Sequence, residues 1–137
     1  MIGVPVVGHQ IGIDDLTPER FDPLGIFLTY PFVIAAADDA PYSSMQELAE
    51  YAKSNDVALG HFGDPLTPTQ VTKAFAKNAG FEWGSDAAFD ALDCNTLASG
   101  DADVINTTLQ LILPCLDSVK VLTAITDARI PLVPDAP

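Results

Sequence analysis

Residues 57–70, VALGHFGDPLTPTQ, decide the fold. Residues 57–62 are an apolar run carrying one histidine, the pattern of a strand buried on both faces of a parallel sheet. Gly63, Asp64, Pro65 and Leu66 break that pattern as a loop. A helix start follows: Thr67 is the expected N-cap, Pro68 sits at the tolerated first position, and Gln70 completes a capping box. Val71, Ala74, Phe75 and Asn78 form the expected inner stripe, with Gly80 just past the last turn. The unit is strand, loop, helix.

The same alternation continues on both sides. Upstream, residues 32–36 (FVIAA) are a strand and Asp38, Asp39, Ala40 and Pro41 a turn. Ser44 and Glu47 form a capping box, and Met45, Leu48, Ala49 and Ala52 share one face of the helix it opens. Before that, residues 24–29 (LGIFLT) read as a strand, interrupted by Tyr30 and Pro31 because proline cannot donate to a ladder. Two strands joined across a proline suit a chain crossing between lobes. The first 23 residues are weakly periodic, with a short strand expected at 4–7. Downstream, Phe81, Glu82 and Trp83 are a short strand. Ser85 or Asp86 caps a helix through Phe89, Leu92 and Leu97 to Gly100. Residues 102–106 are a strand, 109–116 a helix broken near Pro114, and 119–125 a last strand. The predicted architecture is α/β, a mostly parallel sheet flanked by helices. The division is 1–31 as a peripheral segment and crossing strand, 32–125 as the α/β lobe, and 126–137 as a return segment with three prolines.

Composition narrows the function. The chain has 137 residues, is 48% hydrophobic, and has a mean hydropathy of +0.24, enough for a core. Six Lys+Arg against 19 Asp+Glu give a net charge of −13. Nucleic acid and anionic membranes require clustered cations, so neither is an expected partner. No apolar run is long enough for a membrane-spanning helix. The start lacks the basic region of a secretory signal, the first cation being Arg20. Cys94 and Cys115 read as two buried thiols ahead of one bridge, and neither has the spacing of a zinc site. Asp14, Asp15, Asp38 and Asp39 read as solvated turn charges, so no metal is expected. The chain contains no GxSxG, HExxH, P-loop or GxGxxG motif, so no cofactor and no enzyme activity are expected.

Ligands of parallel sheets bind beyond the carboxyl ends of the strands. One such end carries His61, Phe62, Gly63, Asp64 and Thr67, where backbone amides and a helix N-terminus suit a carboxylate. The same residues also read as an ordinary strand-to-helix turn. A second end carries Asp103, Asn106, Thr107 and Thr108, three of which can donate to a ligand or cap the next helix. His61 by itself reads as a core or rim histidine, His9 as surface, and Trp83 as core.

From about Phe21 onward the order of motifs resembles the extracytoplasmic solute receptors of the tripartite tricarboxylate transporter family (TctC-like, or Bug proteins). Residues 38–48 (DDAPYSSMQEL) are similar to the family's proline turn and "TxxEL" helix. Residues 58–63 (ALGHFG) parallel "YGSSG", and residues 99–104 (SGDADV) parallel "GGQVDL". Residues 119–126 and 127–137 parallel "GKLRALAVTS" and "KRSPALPDVPT". The resemblance implies one lobe of a type II periplasmic-binding-protein fold that closes on a small carboxylate. It places Gly63 and Thr67 where the family contacts a ligand carboxylate and Asp103 at the family's strand aspartate. Pro65, Leu66 and Thr107 depart from the family's glycine, hydroxyl residue and second aspartate, and "VPYKGG" has no counterpart near Trp83.

The expected function is therefore solute capture for an uptake transporter, in the periplasm, delivering ligand to transporter membrane subunits. Apolar surface left uncovered by a missing lobe makes a homodimer of the chain expected. The alternatives are an effector-sensing domain of a regulator with the same topology, and a ligand-free α/β interaction module.

Overall fold

The computed structural model describes residues 31–125; the strands expected at 4–7 and 24–29, and the flanking segments, lie outside them. Five strands form one sheet: β1 (Phe32–Ala37), β2 (Ala58–His61), β3 (Ser85–Ala88), β4 (Val104–Thr108) and β5 (Val119–Ala124), in the order β3-β2-β4-β1-β5. β2 pairs in parallel with β3 and β4. β1 is antiparallel to both β4 and β5, so four strands run one way and one central strand runs against them.

Alternation along β1 builds two cores. Ile34 and Ala36 face one side of the sheet, Val33 and Ala35 the other, as a period of two demands. The first face is covered by α1 (Met45–Ala52) and α2 (Thr67–Ala79), with Leu48, Leu59, Ala76, Phe81 and Val104 between. The second is covered by α3 (Cys94–Ala98), α4 (Leu109–Ile112) and a 3-10 segment, Leu113–Ser118, over Leu92, Leu97, Ile105 and Ile112. Gly60 is closely packed on this second face: a Cβ there would stand 2.9 Å from Leu92 Cδ2.

α1 begins as expected. The Ser44 hydroxyl accepts from the Glu47 N–H at 3.2 Å, and the Glu47 carboxylate reaches back to the Ser43 N–H at 2.7 Å. α2 ends on Gly80, whose φ of +79° is the left-handed terminator glycine favours. Its start and its face differ from expectation. The N-cap is Leu66, with no side-chain cap, so Thr67 is the first helical residue. The Gln70 amide donates to the Asp64 carbonyl at 2.6 Å instead of closing a capping box. The buried stripe is Thr69, Thr72 and Ala76, whereas Val71 is exposed. Thr72 tolerates burial because its hydroxyl donates to the Pro68 carbonyl at 2.9 Å.

Two further elements are corrected. Phe81–Trp83 is not a strand: Phe81 and Trp83 meet edge-on at 5.1 Å, and Phe75 meets Phe81 at 6.1 Å, filling the space below α2. The strand follows at Ser85–Ala88, after Gly84 passes so close to Asp56 that a Cβ would lie 3.0 Å from its Cα. The helix expected from 85 to 100 is accordingly only α3, capped by Asp93, whose carboxylate accepts from the Asn95 N–H at 2.8 Å. Pro114 does break the following helix: Cys115 has non-helical φ and ψ of −129° and 26°. The expectation of two thiols is also corrected. Cys94 and Cys115 are joined in a disulfide, because α3 and the 3-10 segment lie on the same sheet face and bring the Cα atoms to 6.0 Å.

Candidate functional site

β2 is an interior strand, so its carboxyl end delivers His61 to the sheet edge already buried, at 3% exposure. The chain then turns through Phe62, Gly63, Asp64 and Pro65 into α2. Gly63 has a φ of +134°, a backbone region L-residues rarely enter. That conformation points its N–H back at the preceding imidazole, and Gly63 N donates to His61 Nδ1 at 3.0 Å. The ring proton therefore sits on Nε2, which lies 3.8 Å from Asp64 Oδ1.

Asp64 is held by Lys73, a residue the sequence reading did not single out. Lys73 Nζ lies 2.6 Å from Asp64 Oδ1 and also bonds Asp86 on β3. The hydrogen bond from Lys73 lowers the Asp64 pKa. Partial burial opposes the Lys73 charge, but hydrogen bonds to Asp64 and Asp86 outweigh it and raise the Lys73 pKa. Burial, aided by the Lys73 charge, lowers the His61 pKa below its ordinary 6.5. The only sequence signal for Lys73 was its being a cation in an acidic chain, because α2 brings it back over the loop from six residues beyond Thr67.

The first turn of α2 lies beside this loop. The Leu66 N–H donates to the Gly63 carbonyl at 3.3 Å and the Gln70 N–H to the Leu66 carbonyl at 3.1 Å. Pro68 has no N–H, which leaves Thr67 and Thr69 with first-turn amides that the helix itself does not satisfy. Thr67 is exposed.

The remaining candidates separate. Asn106 was expected as the last residue of its strand and Thr107 just beyond it; both lie within β4, which pairs them with Ile34 and Val33. Their side chains have internal partners. Asn106 Nδ2 donates to the Pro68 carbonyl at 2.9 Å and to the Thr72 hydroxyl. Thr107 Oγ1 donates to the Leu92 carbonyl at 2.6 Å. Asp103 is at the opposite edge of the sheet: it precedes β4, and its carboxylate accepts from the Ala58 N–H at 2.8 Å. There it borders a depression of about 220 Å³ with Asp39, Tyr42 and Asp56. Burial, and then the Asp103 charge, push the Tyr42 hydroxyl up to about 12. A second depression, about 950 Å³, is an open groove lined by Lys53, Lys73, Lys77, Phe81 and Trp83. Neither depression encloses the 61–67 loop. Among the described residues no cluster of three acidic, histidine or cysteine side chains is placed to hold a metal ion.

A crystal structure of a TctC solute-binding protein from Polaromonas superposes with a TM-score of 0.73 at 21% identity, covering 94% of this chain and 44% of its own. The fold is that of one lobe of a TctC/Bug-type periplasmic binding protein. The periplasmic binding protein BugD gives a TM-score of 0.60 at 24% identity, over 79% of this chain and 38% of its own. The periplasmic aliphatic sulphonate binding protein SsuA from Escherichia coli gives 0.55 at 16% identity, over 74% and 35%. The first is a solute-binding protein and the other two are periplasmic binding proteins, and the chain spans less than half the length of each. No protein-family model matches the chain, and no curated protein sequence does.

Proposed function

We propose that this chain is the solute-capturing lobe of an uptake receptor that closes on a small carboxylate. One observation carries the reading: α2 starts without a side-chain cap, directly after the Gly63 turn, at the carboxyl edge of parallel strands. A helix start of this kind attracts anions through its amides and dipole. Thr67, exposed in the first turn, supplies an amide and a hydroxyl. Lys73 supports the reading by pairing with Asp64, the acid that otherwise repels an anion from the loop.

On this reading residues 32–125 are the lobe, while 1–31 and 126–137 lead to and from a second lobe that completes the site. On this reading the loop lies at an edge that becomes a cleft only when the two lobes close. A disulfide accords with an oxidising compartment such as the periplasm. Membrane subunits of a tripartite tricarboxylate-type transporter are the proposed recipients of the ligand. The exposed leucines Leu111, Leu113 and Leu116 support self-association of the chain when it stands without a covering lobe. Calorimetry with di- and tricarboxylates of four to six carbons, on a form that includes both lobes, is the test. Saturable heat from at least one of them is expected, and no heat from any of them rejects the reading.

A further inference from the structure

We propose that His61 is a proton-linked latch on the capture loop: its Nδ1 holds the Gly63 amide in the empty protein, and a carboxylate that takes this amide makes the imidazole take up a proton. The inference rests on the reading of residues 61–67 as the capture loop, and it concerns how that loop is regulated.

The geometry leaves His61 Nδ1 one role at a time. While it accepts from Gly63 N–H at 3.0 Å, it carries no proton. Once protonated, Nδ1 is a donor facing a donor, and the Gly63 amide must turn away. The converse follows. When a ligand carboxylate becomes the acceptor of Gly63 N–H, a buried lone pair is left without a partner, at a cost that protonation removes. In that step an N–H···N bond breaks and an N–H···O bond forms. Buffer supplies one proton to Nδ1, and the imidazolium gains the ligand's negative charge as a neighbour.

The surroundings suit both states. The charged groups facing the ring are Asp64 on the loop, Lys73 on α2 and Asp86 on β3, while on β4 the residue after Ile105, the partner of Gly60, is the neutral Asn106. In the empty protein Lys73 engages both carboxylates, and the ring stays neutral. In the bound protein Asp64, 3.8 Å from Nε2, is ready to share its charge with the imidazolium. Linkage requires that proton uptake and carboxylate binding strengthen one another equally.

The latch is first tested in the full chain without ligand, by following the Gly63 amide and the His61 ring by NMR as pH is lowered. The expected result is that the Gly63 shift follows the ring titration and that its hydrogen-exchange protection falls through the same midpoint. A Gly63 amide that ignores the ring overturns the proposal, whatever any ligand does. The second arm is succinate calorimetry in two buffers of different protonation heat. Wild type should take up as much as one proton, with affinity rising up to about tenfold per pH unit as pH falls from neutral. His61→Asn keeps an acceptor for Gly63 N–H but cannot titrate, and should bind succinate with no proton uptake and no such slope. Equal heats for wild type in both buffers, or uptake that survives in His61→Asn, also overturn it. If neither succinate nor any other carboxylate binds, the proposed function is rejected, and the ligand-free titration still decides the latch.

Discussion

Gly63 and His61 are chemically interlocked. A side chain at position 63 would have to adopt a φ of +134°, so Gly63→Ala should lower stability by about 1–3 kcal/mol, read as a shift in the urea midpoint. Little steric crowding contributes, since the nearest atom to an added Cβ is Pro65 Cδ at 3.7 Å. The cost is backbone conformation. His61 adds a pH dependence whose sign follows from its lowered pKa. Folding favours the neutral ring, so the unfolded chain binds more protons below 6.5. The stabilisation is complete above that value and is lost as pH falls from it through the folded pKa. Denaturant midpoints of wild type should therefore drop faster than those of His61→Asn as the solution is acidified from neutral, and parallel curves would contradict this.

At the scale of elements, the contact between α2 and β4 is polar at its centre. Asn106 bridges the Pro68 carbonyl and the Thr72 hydroxyl from a fully buried position. Asn106→Ala should cost about 1–3 kcal/mol, because it removes the donor to the buried Thr72 hydroxyl and one of the two side-chain donors to the Pro68 carbonyl; thermal melting checks this. The same contact explains which parts of the fold were legible in sequence. α1 was, because Ser44 and Glu47 mark its start and Leu48, Ala49 and Ala52 repeat at helical spacing. β1, β2 and β5 were, as apolar runs. The face of α2 was not: Thr69 and Thr72 look like surface residues until their hydrogen-bond partners are known. β3 was missed because Ser85–Ala88 is an exposed edge with no apolar side to pack. At the candidate site, the strand–loop–helix unit from His61 to Thr67 was readable from local spacing alone. Lys73 and the separation of Asp103 from the others depend on how distant segments meet, and no spacing encodes that.

At the scale of the whole molecule, the reversed strand β1 binds early and late parts of the chain together, and the disulfide ties α3 to the 3-10 segment. The bridge closes a loop with a sequence separation of 21. Its removal in a Cys94→Ala, Cys115→Ala double variant should lower stability by about 3 kcal/mol through the freedom regained by the unfolded chain. Denaturation of the variant against wild type measures it, and unchanged midpoints would mean that the cross-link constrains nothing. Because β1 runs against its neighbours, Val33 near its start lies opposite Ala124 at the end of β5. The two boundaries of this unit are thus one strand spacing apart, about 4.8 Å. A unit whose ends nearly touch can be circularly permuted with a short peptide, or spliced as a cassette into a host loop, without disturbing the order of its sheet.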